Sequence, residues 1–193
     1  MKIIGQALKL FLILTVVTGI FYPLLITLLG QAIFPDKANG SLIGIDGKYV
    51  GSTLLGQPFT EDRYFWPRPS AINYNPLPSG GSNQGMTSAL LDSTVNERRR
   101  ALREANPDAG DVPSDLLFAS SSGLDPDISP AAARFQINRV ANARGLDKDG
   151  KNRLIKLIEK RIEPRDFGIL GEPRINVLRL NLAIDSMFVT NTP

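Results

Sequence analysis

"LFLILTVVTGIFYPLLITLLGQAIFP", Leu10–Pro35, contains no charged residue. An α-helix rises about 1.5 Å per residue, so roughly 20 such residues cross the ~30 Å hydrocarbon core of a bilayer. The run predicts a transmembrane helix over 10–35, with a short cytoplasmic tail at 1–9. A cleaved signal peptide is the alternative, since Lys2 and Lys9 make a basic n-region and Gly30-Gln31-Ala32 is a small-x-small pattern. The run exceeds the roughly 7–15 residues of a signal h-region, which favours a retained anchor. Pro23 would break a soluble helix but is tolerated as a kink in a membrane span. A short basic tail before one span and a large domain after it predicts the N-terminus inside and residues 36–193 outside the cytoplasm.

The rest of the 193 residues is large enough for one domain with its own core. There is no cysteine and no histidine, which removes disulfides, thiol nucleophiles, thiolate metal sites and the usual general base. The 22 basic and 19 acidic residues nearly balance, which argues against nucleic acid as a partner.

Working outward from the span, Leu42–Ile45, the turn pair Asp46-Gly47 and Tyr49–Leu55 predict a β-hairpin. "YFWPRPSA" at 64–71 has prolines on both sides of Arg68, which block helix and central strand, so it reads as a stiff loop. A helix is predicted over 87–105, with Leu91, Val95 and Leu102 on one face. Its Arg98, Arg99, Arg100 and Arg103 read as a solvated face rather than a lipid or nucleic-acid contact. Ser129-Pro130 is an N-cap with proline at the first helical position, opening a helix that buries Phe135, Val140 and Ala141 and ends at Gly145. Another helix over 151–162 carries Leu154, Ile155, Ile158 and Ile162. In "INVLRLNLAID" (175–185), Leu178, Leu180, Leu182 and Ile184 alternate as in a strand. Asn176 as an N-cap between Ile175 and Leu180 favours a helix instead. The expected class is α+β: one N-terminal span, then a mixed domain with an N-terminal hairpin and three to four helices.

"YNPLPSGGSNQG" at 74–85 could cradle a phosphate, but it lacks the Lys-Ser/Thr of a P-loop. It loosely resembles the "LSGGQ" signature of ABC transporter ATPases, which acts only against a P-loop that this chain lacks. Asp125 and Asp127 could meet a cation, with Ser120–Ser122 nearby, although a turn and a helix N-terminus explain them as well. No catalytic group and no metal site is expected.

Together, "GSTLLGQPF", "YFWPRPSA", "YNPLPSGGSNQG", "SGLDPDISPAAARFQINRVANARG" and "INVLRLNLAID" follow an N-terminal span in this order. The chain thereby resembles, over nearly its whole length, the C subunits (KdpC) of Kdp potassium-transporting P-type ATPases. Two positions depart from that family's usual pattern: Asp127 where it has histidine, and Met86 where it has proline. The resemblance implies a non-catalytic accessory subunit of a potassium uptake complex in the bacterial inner membrane. Its partners would be a potassium-translocating A subunit, an ATP-hydrolysing B subunit, a small F subunit and membrane lipid. The family is described as a catalytic chaperone that raises the B subunit's ATP affinity, which implies nucleotide contact at Ser79, Gly80, Gly81, Ser82 and Asn83. ATP would be the only cofactor so implied, and potassium the ion carried by the complex. An extracytoplasmic domain cannot meet cytoplasmic ATP, so the loops at 64–71 and 74–85 are read as a docking surface, with Tyr64, Phe65, Trp66, Arg68, Tyr74 and Asn75 as its interface residues. A free-standing anchored sensor or solute-binding domain is the alternative.

Overall fold

The computed structural model describes residues 2–188. Met1 of the expected tail and residues 189–193 of the expected domain lie outside the described residues. The chain divides into two compact units, meeting in sequence at Ser52 and Thr53. The hairpin lies in the first of these units, with the long N-terminal helix.

In the first unit, α1 (Lys2–Val16), a π-helical turn (Val17–Phe21) and α2 (Tyr22–Ile33) form one long helix, Lys2–Ile33, apolar enough over its length to cross a membrane and with none of its residues buried. Its 32 residues are more than a bilayer's apolar thickness requires. The π turn lies directly before Pro23. Proline has no N–H and its ring crowds the carbonyl four residues back, and the wider turn absorbs both defects. Thr15, Thr18 and Thr27 donate their hydroxyls to the carbonyls of Phe11, Leu14 and Pro23, each at 2.8 Å, so these three hydroxyls are satisfied within the helix in an apolar medium.

A single turn, α3 (Pro35–Ala38), leads to the antiparallel strands β1 (Leu42–Ile45) and β2 (Lys48–Ser52). Asp46 and Gly47 both take positive φ (+49° and +75°), as the tight hairpin turn requires. The return strand stops at Ser52 rather than Leu55, after a register shift opposite Ile43 and Gly44. The Ser52 hydroxyl, donated to the Gly40 carbonyl at 2.7 Å, closes the unit.

The second unit contains α4 (Ala89–Ala105), α5 (Ser114–Leu117), β3 (Asp127–Ile128), α6 (Pro130–Phe135), α7 (Ile137–Ala143), α8 (Lys148–Arg161), β4 (Ile175–Asn176) and α9 (Val177–Met187). Helices exceed the expected three to four, partly because the helix predicted after Ser129 breaks at Gln136 into α6 and α7. Ser129 caps α6 by accepting from the Ala132 N–H at 3.0 Å. Asn176 caps α9 by accepting from the Arg179 N–H at 3.1 Å, and Ile175 and Leu180 on either side of the cap are fully buried. The last element is thus a helix. The two residues before it, β4, pair antiparallel with β3. Helix α8 begins earlier than predicted because Asp147 caps it, accepting from the Gly150 N–H at 2.7 Å. Ala132, Ala133, Val140, Leu154, Ile158, Ile175, Leu180 and Ile184 form the centre of the core.

Candidate docking surface

After a turn at 61–64, in which the Tyr64 N–H donates to the Glu61 carbonyl at 3.0 Å, the strap at 65–68 has no strand partner, since Pro67 and Pro69 exclude it from a regular ladder. Its backbone groups pair with side chains instead. Asn181 on α9 accepts from the Phe65 N–H at 2.8 Å and donates to the Phe65 carbonyl at 3.0 Å. Gln136 accepts from the Trp66 N–H at 2.8 Å and donates to the Trp66 carbonyl at 3.2 Å. Each primary amide thus substitutes for one residue of a neighbouring strand, meeting the rule that buried backbone groups are paired. Gln136 occupies the break between α6 and α7, which turns its amide toward the strap.

Two arginines of the α7 region complete the clamp. Arg139 donates to the Asp62 carbonyl at 2.6 Å and to Gln136 Oε1 at 2.5 Å, and its guanidinium lies 3.8 Å from the centroid of the Trp66 ring. Burial lowers its pKa to about 10, opposed by the nearby Asp62, so it stays charged at neutral pH. Arg144, just beyond α7, donates to the Arg63 carbonyl and to Asp185, both at 2.7 Å. Asp185 also accepts from the Tyr64 hydroxyl at 3.1 Å.

These contacts correct the expected interface at one residue outright: Phe65 has no exposed surface and is a core residue. Trp66 is half-buried against Arg139, and its indole N–H donates to the Glu61 carbonyl at 3.1 Å. Tyr64 is half-buried. Arg68 is paired with Asp125 at 2.7 Å. Tyr74 donates its hydroxyl to the Arg68 carbonyl at 2.7 Å, and burial pushes its pKa up to about 12, with Arg98 opposing. Of the six, Asn75 alone is exposed, and its side chain accepts from the Leu77 N–H at 3.1 Å.

The glycine-rich stretch packs on the backbone of the Ser120–Gly123 loop. The Gly80 N–H donates to the Ser122 carbonyl at 3.1 Å, and a Cβ on Gly81 would lie 3.0 Å from the Ser121 carbonyl oxygen. Gly123, at φ +68°, has Ile72 against its α-carbon. Gly56 approaches as closely elsewhere: a Cβ there would meet the Asp125 carbonyl oxygen at 2.6 Å. Ser79, Ser82 and Asn83 are exposed, and no basic residue lies between 74 and 85. Arg98 turns inward to donate to the Leu117 carbonyl at 2.8 Å, leaving Arg100 and Arg103 on the solvated face. Beside this stiff loop, Leu77, Met86 and Leu90 are 81%, 99% and 62% exposed.

Asp125 and Asp127 stand next to each other with their oxygens already committed. Asp125 holds Arg68 and accepts from the Asp127 N–H at 3.0 Å. Asp127 accepts from Asn176 at 3.1 Å and lies 3.7 Å from Arg174. Among the described residues no group of three acidic side chains converges to hold a metal. Burial, with Asp125 and Glu163 adding repulsion, raises the Asp127 pKa against the opposing Asn176 hydrogen bond and Arg174. The folded state therefore holds this proton more tightly than the unfolded chain. The resulting stability is complete below the ordinary value of 3.8 and is lost as pH rises through the raised value. Asp127→Asn is expected to flatten that part of the stability profile. Denaturant titrations of both proteins from acid to neutral pH check this, since parallel profiles would contradict it.

The sequence profile of the KdpC family, described as K+-transporting ATPase, c chain, matches residues 4–186. The chain belongs to the KdpC family. It is 53% identical over 185 residues to the potassium-transporting ATPase KdpC subunit of Methylococcus capsulatus, covering 94% of this chain and 96% of that one. The KdpC subunit of Geobacter sulfurreducens is 51% identical over 191 residues, covering 97% and 99%. That of Burkholderia cenocepacia strain J2315 is 52% identical over 189 residues, covering 96% of each. For this KdpC family member, Gln136, Asn181, Arg139 and Arg144 are the positions that local pattern did not single out. The sequence signal of Arg139 and Asn181 is a polar residue among apolar helical ones, and Gln136 and Arg144, at helix ends, carry none.

Proposed function

We propose that this chain is a non-catalytic accessory subunit of an ATP-driven potassium uptake complex, anchored in the inner membrane by residues 10–35. Its N-terminus is cytoplasmic and its body lies outside, where it stabilises assembly of the potassium-translocating and ATP-hydrolysing subunits. The observation carrying this reading is the stiffly held loop beside three exposed apolar side chains, Leu77, Met86 and Leu90. Apolar side chains on a preorganised backbone lose little conformational freedom on docking, and so retain most of their binding energy. The Gly80 N–H is already spent on Ser122, which favours a protein surface over a phosphate site at Ser79–Asn83. ATP and potassium are then ligands of the partner subunits, and a gain in ATP affinity reaches the ATPase through assembly.

Met86→Glu with Leu90→Glu tests the surface. Each buried anchor contributes about 1–2 kcal/mol to an interface, so the recovered complex is expected to fall about tenfold or more. The melting temperature of the variant chain should stay unchanged, because both side chains face solvent. Full assembly with both substitutions would overturn the proposed surface.

A further inference from the structure

We infer that the C-terminal half of α8 and the following loop tip form a second surface, which binds the anionic headgroups of the membrane carrying the anchor. This rests on the anchored reading above. Arg153, Lys156, Lys160 and Arg161 line an open cavity of ≈ 520 Å³ between α8 and α9 whose apolar lining includes Leu157 and Met187. Among the described residues no acidic side chain lines it. Glu159, the acid nearest in sequence, is engaged by Arg134 at 2.8 Å. Lys160 and Arg161 also suit the negative end of the helix dipole, but that accounts for neither Arg153 nor Lys156. A cationic cleft with an apolar floor matches an anionic amphiphile better than a free inorganic ion.

The second observation is the loop immediately after α8. Phe167, Ile169 and Leu170 are 92%, 75% and 57% exposed. They stand on a stiff stem: Asp166 and Leu170 exchange backbone hydrogen bonds of 2.8 and 2.9 Å, and Arg165 grips Glu172 at 2.7 Å. Phe167 takes φ +55° at the tip, followed by Gly168 at +77°. The stem's charges are mutually paired, so the tip presents only apolar surface. Arg161 and Phe167 are close enough in sequence to lie within about 20 Å of one another. Cations followed within a few residues by an apolar tip suit a bilayer interface, where headgroups meet the former and the acyl boundary the latter.

The full chain has no cysteine, so Ile169→Cys gives a single attachment point for a spin label. The labelled chain is reconstituted in vesicles of phosphatidylcholine alone or mixed equally with phosphatidylglycerol. Collisional relaxation by oxygen and by a water-soluble nickel complex then reports depth. In the anionic vesicles the label is expected to favour oxygen and be shielded from nickel. A control label at Asp108→Cys, on another exposed loop, should remain open to nickel. Adding Lys156→Gln, Lys160→Gln and Arg161→Gln is expected to weaken the association about fivefold per cation removed, and high salt should reverse it. A label at 169 open to nickel in anionic vesicles would overturn the inference. So would shielding equal in neutral vesicles or in the triple variant. Failure here with the chain still inserted in the vesicles removes only the lipid surface. A chain that alkaline carbonate washes off the vesicles would instead remove the anchored reading.

Discussion

Asn181→Leu is expected to destabilise the body by about 2–5 kcal/mol, because it strands both the N–H and the carbonyl of Phe65 in the core. Leucine keeps the branched outline of asparagine in a larger volume and has a good helix propensity, so neither a cavity nor loss of α9 would explain the effect. Each unpaired buried backbone group costs about 1–3 kcal/mol, and two are exposed to that penalty at once. Denaturant unfolding of the detergent-solubilised chain measures the loss. Asn181→Asp keeps an acceptor for the Phe65 N–H but sets a carboxylate against the Phe65 carbonyl, and should be at least as damaging. A change below about 0.5 kcal/mol for Asn181→Leu would mean that the strap does not depend on this amide.

Phe65→Ala is expected to cost about 3–5 kcal/mol, the range for emptying a fully buried aromatic site. Against a total stability of about 5–15 kcal/mol, that leaves a marginal body. Trp66→Ala, one residue on, should cost less in core packing because the indole is half-buried, although it also removes the ring under Arg139. The order of the two variants distinguishes a strap anchored through Phe65 from an exposed aromatic docking loop. If Phe65→Ala left the melting temperature unchanged but reduced binding to a partner, the original surface reading of 64–71 would be restored.

Local signals in the sequence were sufficient where the physics is local. Asp46-Gly47 marked the hairpin, Ser129-Pro130 and Asn176 marked helix starts, and Gly145 takes the positive φ (+60°) expected beyond a helix end. The apolar run before Pro35 marked the long exposed helix. The strap was misread because its partners are remote: Asn181 lies 116 residues from Phe65, and Gln136 lies 70 from Trp66. Proline-flanked aromatics without periodicity look like a surface loop when side-chain amides, rather than a strand, satisfy their backbone. The same long range hid the role of Arg139 and Arg144, each of which reaches across to the strap. The glycine-rich stretch was legible as stiff and uncharged, but its packing on Ser120–Gly123 requires two distant loops to be brought together.

Affinity capture of the tagged full chain from membranes dissolved in mild detergent tests the central claim most directly. The expected result is recovery of a potassium-stimulated ATPase in fixed proportion to the captured chain. A chain recovered alone, with all such ATPase activity left intact in the unbound fraction, would contradict its assignment as an assembly subunit.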